Sequence, residues 1–288
     1  MSNTSSQGIQ PTQRHPRYYF KDGNLVIELS SSNVLYNLNR SYLELDSGLF
    51  QTMLSLRPED RLEGQSDTSP VVIPNISARD FDWFLDYQLR HILPKDDEEA
   101  LTAILNLGHF FLYDAAQTDA QAALEGLPSF GPVARYSLGL RNGIKDWVVS
   151  GFTVLVSLPF SRLSLSEVQR MGEDATFTVN DTRFQIDAHR GAIAYHVPPI
   201  REAPSCTFHF QCEVGWDREW KVKVARHLMH PEGATSGREI LAMLDRVEVN
   251  DVHPACKDIT IQTLRDNKVL THEEEIVESV LRTIVPSN

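Results

Sequence analysis

The sequence predicts an α+β fold: a small strand-and-helix module at the N-terminal end, followed by a mostly α-helical remainder. Three observations predict it. Short β-branched runs bounded by turn residues are concentrated early in the chain. Apolar residues recur at three- and four-residue steps through most of the rest. Strands and helices do not alternate in the regular way a doubly wound sheet requires. The chain has 288 residues, 41% apolar and 23% charged, which suits a sizeable core and suggests two domains.

Residues 1–17 are polar, hold Pro11 and Pro16, and predict a disordered tail. After the turn signal Asp22-Gly23-Asn24, Leu25–Leu29 reads as a strand and Val34–Leu38 as its hairpin partner. Across residues 40–56, the apolar Tyr42, Leu43, Leu45, Leu49, Phe50, Met53 and Leu54 recur at helical steps. Asp46-Ser47-Gly48 marks a break there and caps the second of two short helices. Residues 57–69 read as a charged loop. Val71-Val72-Ile73 lies between Pro70 and Pro74, and proline is tolerated at a strand's ends rather than inside it. Ser77, with Asp80 three residues on, reads as an N-cap before Phe81, Phe84, Leu85 and Leu89. Residues 94–99 form a charged turn, and residues 100–107 and 115–124 a helical pair.

After Gly126-Leu127-Pro128 the texture changes. Residues 132–140 and 144–158 are apolar helical stretches, and Ser164-Leu165-Ser166-Glu167-Val168 opens another helix. Residues 174–180 carry the strand formers Thr176, Phe177, Thr178 and Val179 in helical surroundings, so two signals conflict. Residues 194–206, with Pro198, Pro199 and Pro204, predict a loop. Residues 216–227, 236–244 and 273–284 read as helices. The expected organisation is a tail over 1–17, a first domain over 18–125 and a helical extension over 126–288.

Net charge is −12, from 39 acidic and 27 basic residues. Phosphate backbones and anionic membrane surfaces repel such a balance, so neither is an expected partner. The densest basic stretch, Arg218, Lys221, Lys223 and Arg226, is diluted by acidic neighbours and reads as a solvated helix face. The first residues lack the apolar core of a signal peptide, and no apolar run approaches the roughly 20 residues of a membrane span. A cytoplasmic or nuclear location is expected by elimination.

Motifs for catalysis are absent from the sequence: it has no phosphate-cradling glycine loop, no HExxH and no GxSxG. The acidic groups Glu98-Glu99 and Glu273-Glu274-Glu275 fall at helix starts, where they complement the helix dipole. Trp216 and Trp220, four apart, share a helix face and read as core. His227, His230 and nearby His209 read as surface or satisfied core positions. Cys206 and Cys212, with His209 between them, and the pair His253 and Cys256 offer soft metal ligands. Structural zinc usually takes tight pairs such as CxxC, and five residues separate Cys206 from Cys212. The three cysteines are therefore read as small buried hydrophobes. No catalytic residue, cofactor or metal is assigned; the chain is expected to be no enzyme. A zinc-stabilised regulatory protein using Cys206, Cys212, His253 and Cys256 stands as the alternative.

One family does emerge from the first 125 or so residues. The run from Tyr18 through Leu29 (YYFKDGNLVIEL), the segment Tyr36-Asn37-Leu38-Asn39-Arg40-Ser41-Tyr42-Leu43, and Asp46-Ser47-Gly48-Leu49-Phe50-Gln51-Thr52-Met53-Leu54 resemble successive segments of the BTB/POZ domain. So does the run from Val71 to Phe81, with Leu85 and Tyr87 following. Asn39 stands at that family's usual histidine and Asn24 where aspartate is common. Pro132-Val133-Ala134-Arg135, Asp146-Trp147, Leu163-Ser164-Leu165-Ser166-Glu167, Met171-Gly172, His253-x2-Cys256 and the acidic helix from Glu273 are similar to the helical extension of BTB-domain proteins numerous in mushroom-forming fungi. The resemblance implies an adaptor that binds protein partners, by forming a homodimer or by bridging a substrate to a cullin-type ubiquitin ligase. The family's cullin-binding motif is not evident in these residues.

Overall fold

The computed structural model of the chain describes residues 12–55, 63–158, 163–231 and 233–285, without the side chains of Asp46 and Leu54. It divides into two compact units, residues 1–130 and 131–288, a few residues later than the expected boundary. The class is α+β: a small mixed sheet with helices in the first unit, and helices in the second.

In unit 1, β2 (Leu25–Leu29) and β3 (Val34–Leu38) form the expected antiparallel hairpin, with Leu25 opposite Leu38 and Leu29 opposite Val34. The short β4 (Val71–Ile73) returns parallel to β2. A further strand, β1 (Gln13–Tyr19), lies parallel to β3, giving the order β1-β3-β2-β4. This strand corrects the expectation of a disordered tail reaching residue 17. Residues 1–11 of that tail, and 57–62 of the charged loop, lie outside the described residues. Pro16 has no N–H to give, and the β1 register slips between Arg14 and Tyr19. Side-chain contacts reinforce this interrupted ladder. His15 stacks on Tyr36 at 4.7 Å and its Nε2 lies 3.0 Å from Asp82. Tyr18 donates its hydroxyl to Asp86 at 2.5 Å, and Arg17 pairs with the same carboxylate at 2.8 Å. Burial, helped by Asp86, raises the Tyr18 phenol above its ordinary range, so the hydroxyl stays a donor.

Five helices complete unit 1 among the described residues: α1 (Arg40–Asp46), α2 (Gly48–Ser55), α3 (Ala78–Arg90), α4 (Glu98–Phe110) and α5 (Asp114–Glu125). Their starts follow the residues that can accept orphan amides. The Phe50 amide donates to Ser47 Oγ at 3.2 Å, the Asp80 amide to Ser77 Oγ at 3.0 Å and the Ala100 amide to Asp97 at 3.0 Å. Phe50, Phe81, Phe84 and Phe111 are buried together, with ring centroids between 4.8 and 6.4 Å.

Unit 2 runs α6 (Pro132–Asn142), α7 (Lys145–Ser157), α8 (Leu165–Met171), α9 (Glu173–Tyr195) and α10 (His209–Glu219). A π-helical segment, Trp220–Ala225, continues α10 into the short α11 (Arg226–Leu228). Then come α12 (Gly237–Arg246), α13 (Pro254–Asp266) and α14 (His272–Ile284). Residues 174–180 are helical: Ala175, Val179, Thr182 and Ile186 are buried at helical spacing, and that burial outweighs local strand propensity. Helix α13 had no sequence signal strong enough to name it. It starts with Pro254 at its first position, and its Ile259-Thr260-Ile261 run favours strand locally. The antiparallel α6 and α7 approach through glycine: a Cβ on Gly151 would lie 2.7 Å from the Tyr136 nitrogen, and one on Gly139 2.8 Å from that of Val148. No helix among the described residues is long and apolar enough to cross a membrane.

Candidate functional site

In unit 2, the segment between α9 and α10 carries Cys206, and α10 begins at His209. Cys212 follows one helical turn after His209, on the same side of α10. Cys256 sits in the first turn of α13. Every cysteine of the chain therefore meets in one place. The three sulfurs and a ring nitrogen of His209 lie within 4.8 Å of one another. Cys206 Sγ is 3.7 Å from Cys212 Sγ, and Cys256 Sγ is 3.9 Å from His209 Nδ1. The first distance is far beyond a disulfide bond of about 2.05 Å, and all three cysteines are free thiols here.

Cys212 and Cys256 are buried and Cys206 is half-buried, so little water reaches the group. Two backbone amides aim at the sulfurs: Ala203 N–H donates to Cys256 Sγ and His253 N–H to Cys212 Sγ, each at 3.3 Å. The Nε2 of His209 faces the other way, 3.8 Å from the Glu213 carboxylate. Burial pushes the Cys256 thiol up to about 11; the nearby Cys206 and Cys212 add to that shift and the Ala203 amide opposes it. The group lies against a core of Ile200, Ala203, Trp216, Trp220 and Leu264.

His253, the histidine that the sequence pairs with Cys256, is not in the group. Its side chain turns back to accept the Ala255 amide and caps α13. His209 takes the place the sequence had offered to His253. The signal was available: with histidine counted as a ligand, residues 206–212 spell C-x2-H-x2-C, two tight spacings in place of one loose one. His227 and His230 are exposed and not part of it. Trp216 and Trp220 are core, as expected, with ring centroids 5.4 Å apart. The basic stretch is largely neutralised: Arg218 pairs with Asp251, Lys221 with Asp217 and Lys223 with Glu219. Glu273 is buried against Arg190 at 2.7 Å and accepts the Gly237 amide at 2.9 Å.

In unit 1, the corner between α1 and α2 gathers apolar side chains on the outside. On α1, Leu43 is fully buried, while Tyr42 and Leu45 are 57% and 72% exposed. The end of α4 is bonded onto this corner. Gly48 N–H donates to the Leu112 carbonyl at 3.3 Å, Leu49 N–H to that of Phe111 at 3.3 Å, and Ser47 Oγ to Phe111 at 2.5 Å. The exposed Phe110 and Leu112 are thereby brought beside it. No protein-family model matches the sequence, and no curated protein matches it.

Proposed function

We propose that the chain is a non-enzymatic interaction protein of the BTB/POZ type, whose unit 1 pairs with a second copy of itself at the α1–α2 corner. The observation that carries this reading is the outward apolar set Tyr42, Leu45, Phe110 and Leu112, which leaves large side chains in water. Tyr42 and Leu45 are three residues apart and share one face of α1. The segments behind the resemblance support it by falling, in chain order, on the end of β1 into β2, β3 into α1, α2, and β4 into α3.

Covering such a corner removes apolar area from water, at about 25 cal/mol per Å². A stable interface takes about 800 Å² from each partner, so the end of α4 has to contribute along with α1. Sedimentation of the purified chain over a range of concentrations tests the reading. The expected result is a monomer–dimer equilibrium that Leu45→Glu weakens by at least about tenfold, roughly 1.4 kcal/mol, with unchanged circular dichroism. A monomer at every concentration would sink it, as would a dimer indifferent to both Leu45→Glu and Tyr42→Ala.

A further inference from the structure

We propose that Cys206, His209, Cys212 and Cys256 are a structural zinc site that fastens the segment 196–208 to the starts of α10 and α13. This inference stands apart from the partner-binding reading, since it concerns unit 2 and uses none of the same residues.

Geometry comes first. A tetrahedral zinc ion bound to thiolates at about 2.3 Å and to imidazole at about 2.0 Å sets its sulfurs roughly 3.8 Å apart, and sulfur from nitrogen roughly 3.5 Å. The Cys206–Cys212 separation is 3.7 Å and the Cys256–His209 separation 3.9 Å. All four donors fall within 4.8 Å, so an ion requires the longest pairs to close by about 1 Å. Cysteines buried only as small hydrophobes have no reason to turn their sulfurs toward one another, and here every sulfur of that kind in the chain does so.

The choice of metal follows from the donors. Three thiols and an imidazole are soft to borderline ligands that suit zinc; oxygen-seeking calcium and magnesium are excluded by the absence of carboxylates from the set. Four protein ligands leave no open position for water or substrate, which marks the site as structural rather than catalytic.

The surroundings match the charge such a centre carries. Zinc with three thiolates has a net charge of −1, and four features of the fold face it with positive charge density. Two are the amides of Ala203 and His253 on the sulfurs. The others are the N-terminal ends of α10 and α13, where His209, Cys212 and Cys256 sit. Glu213 faces the outer nitrogen of His209, the arrangement that orients a metal-bound imidazole.

The mechanical consequence is a staple. Between its ends, the segment 196–208 is held to the helices by Trp216 Nε1 on the Pro198 carbonyl and Arg201 N–H on Thr260 Oγ1, both at 2.8 Å, and by the Ala203 amide on Cys256. Zinc would add bonds from Cys206 to two helices at once.

The test uses the full chain purified under reducing conditions from zinc-supplemented cells. Elemental analysis after dialysis should find one zinc per chain, and a thiol reagent should find all three cysteines shielded until a chelator or denaturant releases them. Cobalt substituted for zinc should give the thiolate charge-transfer band and intense visible bands of a tetrahedral sulfur-rich site. Cys206→Ala and His209→Ala should lose stoichiometric zinc, while His253→Ala should keep it. If Cys206→Ala proves insoluble, the metal content, thiol shielding and cobalt spectrum of the unmodified chain decide alone. A chain free of zinc with reactive thiols, a Cys206–Cys212 disulfide found by non-reducing peptide mapping, or full zinc retained in Cys206→Ala would overturn the proposal.

Discussion

In unit 1, β1 is held on the sheet by stacked rings and shared carboxylates; in unit 2, the segment 196–208 is held by thiols, an indole and single amides. The first kind of fastening is redundant. His15, Arg17 and Tyr18 all reach α3, and Asp86 alone serves Arg17, Tyr18 and Arg90. Losing any one leaves the others in place. The second kind converges on a few atoms, so each member matters more. The contrast extends to the interiors. Unit 1 is filled by large rings, whereas α6 and α7 of unit 2 meet through the absence of side chains at Gly139 and Gly151. One interior is broken by deleting volume and the other by adding it.

The largest expected effect tests the first half of that contrast. Phe81→Ala and Phe50→Ala should each destabilise unit 1 by about 3–5 kcal/mol, read from urea unfolding, because both rings are fully buried and packed against Phe111. An unchanged unfolding midpoint in either variant would break the description of that interior. Next in size, Gly151→Ala should cost unit 2 about 1–3 kcal/mol, since the added carbon meets the backbone of Tyr136 and Pro132 rather than a movable side chain. Alanine tolerated at no cost would mean that α6 and α7 are not so close.

The smallest effect separates the two units by acid. Burial, and then the neighbouring His272, holds the His189 imidazole below its ordinary value. Unfolded, the ring takes up a proton near pH 6.5; folded, it does so only at lower pH. Stability from this group is therefore complete above that value and declines as pH falls from there toward the folded value. His189→Gln should flatten this slope in the unit 2 transition. If the slope persists in the variant, His189 is not its source.

Much of unit 1 was legible because its signals are local. Ser77 caps α3, Ser47 caps α2, and the hairpin pairs across the short polar connection between its two apolar runs. Strand β1 was not, because only Tyr18 and Tyr19 at its end favour a strand and Pro16 interrupts the run; its partners Asp82 and Asp86 lie nearly 70 residues away. The Thr176–Val179 conflict resolved as helix for a similar reason, since the buried stripe of α9 is defined by residues beyond the run. In the thiol cluster, the ligand types were legible and one identity was not. His253 is the obvious neighbour of Cys256 along the chain, but its place before Pro254 makes it a cap, and the ring that arrives comes from α10.

Strand β1 also sets a timetable. The chain leaves the ribosome N-terminus first, at about 5–20 residues per second. Arg17 then waits roughly 3–14 s for Asp86, which is 69 positions behind it. During that interval the nascent segment has β3 and then Asp67, which takes Arg14 and Tyr19, but not the α3 carboxylates, so β1 is fully fastened only after α3 has been synthesised. Strand β1 thus stays incompletely held until a helix far behind it in the chain has been made.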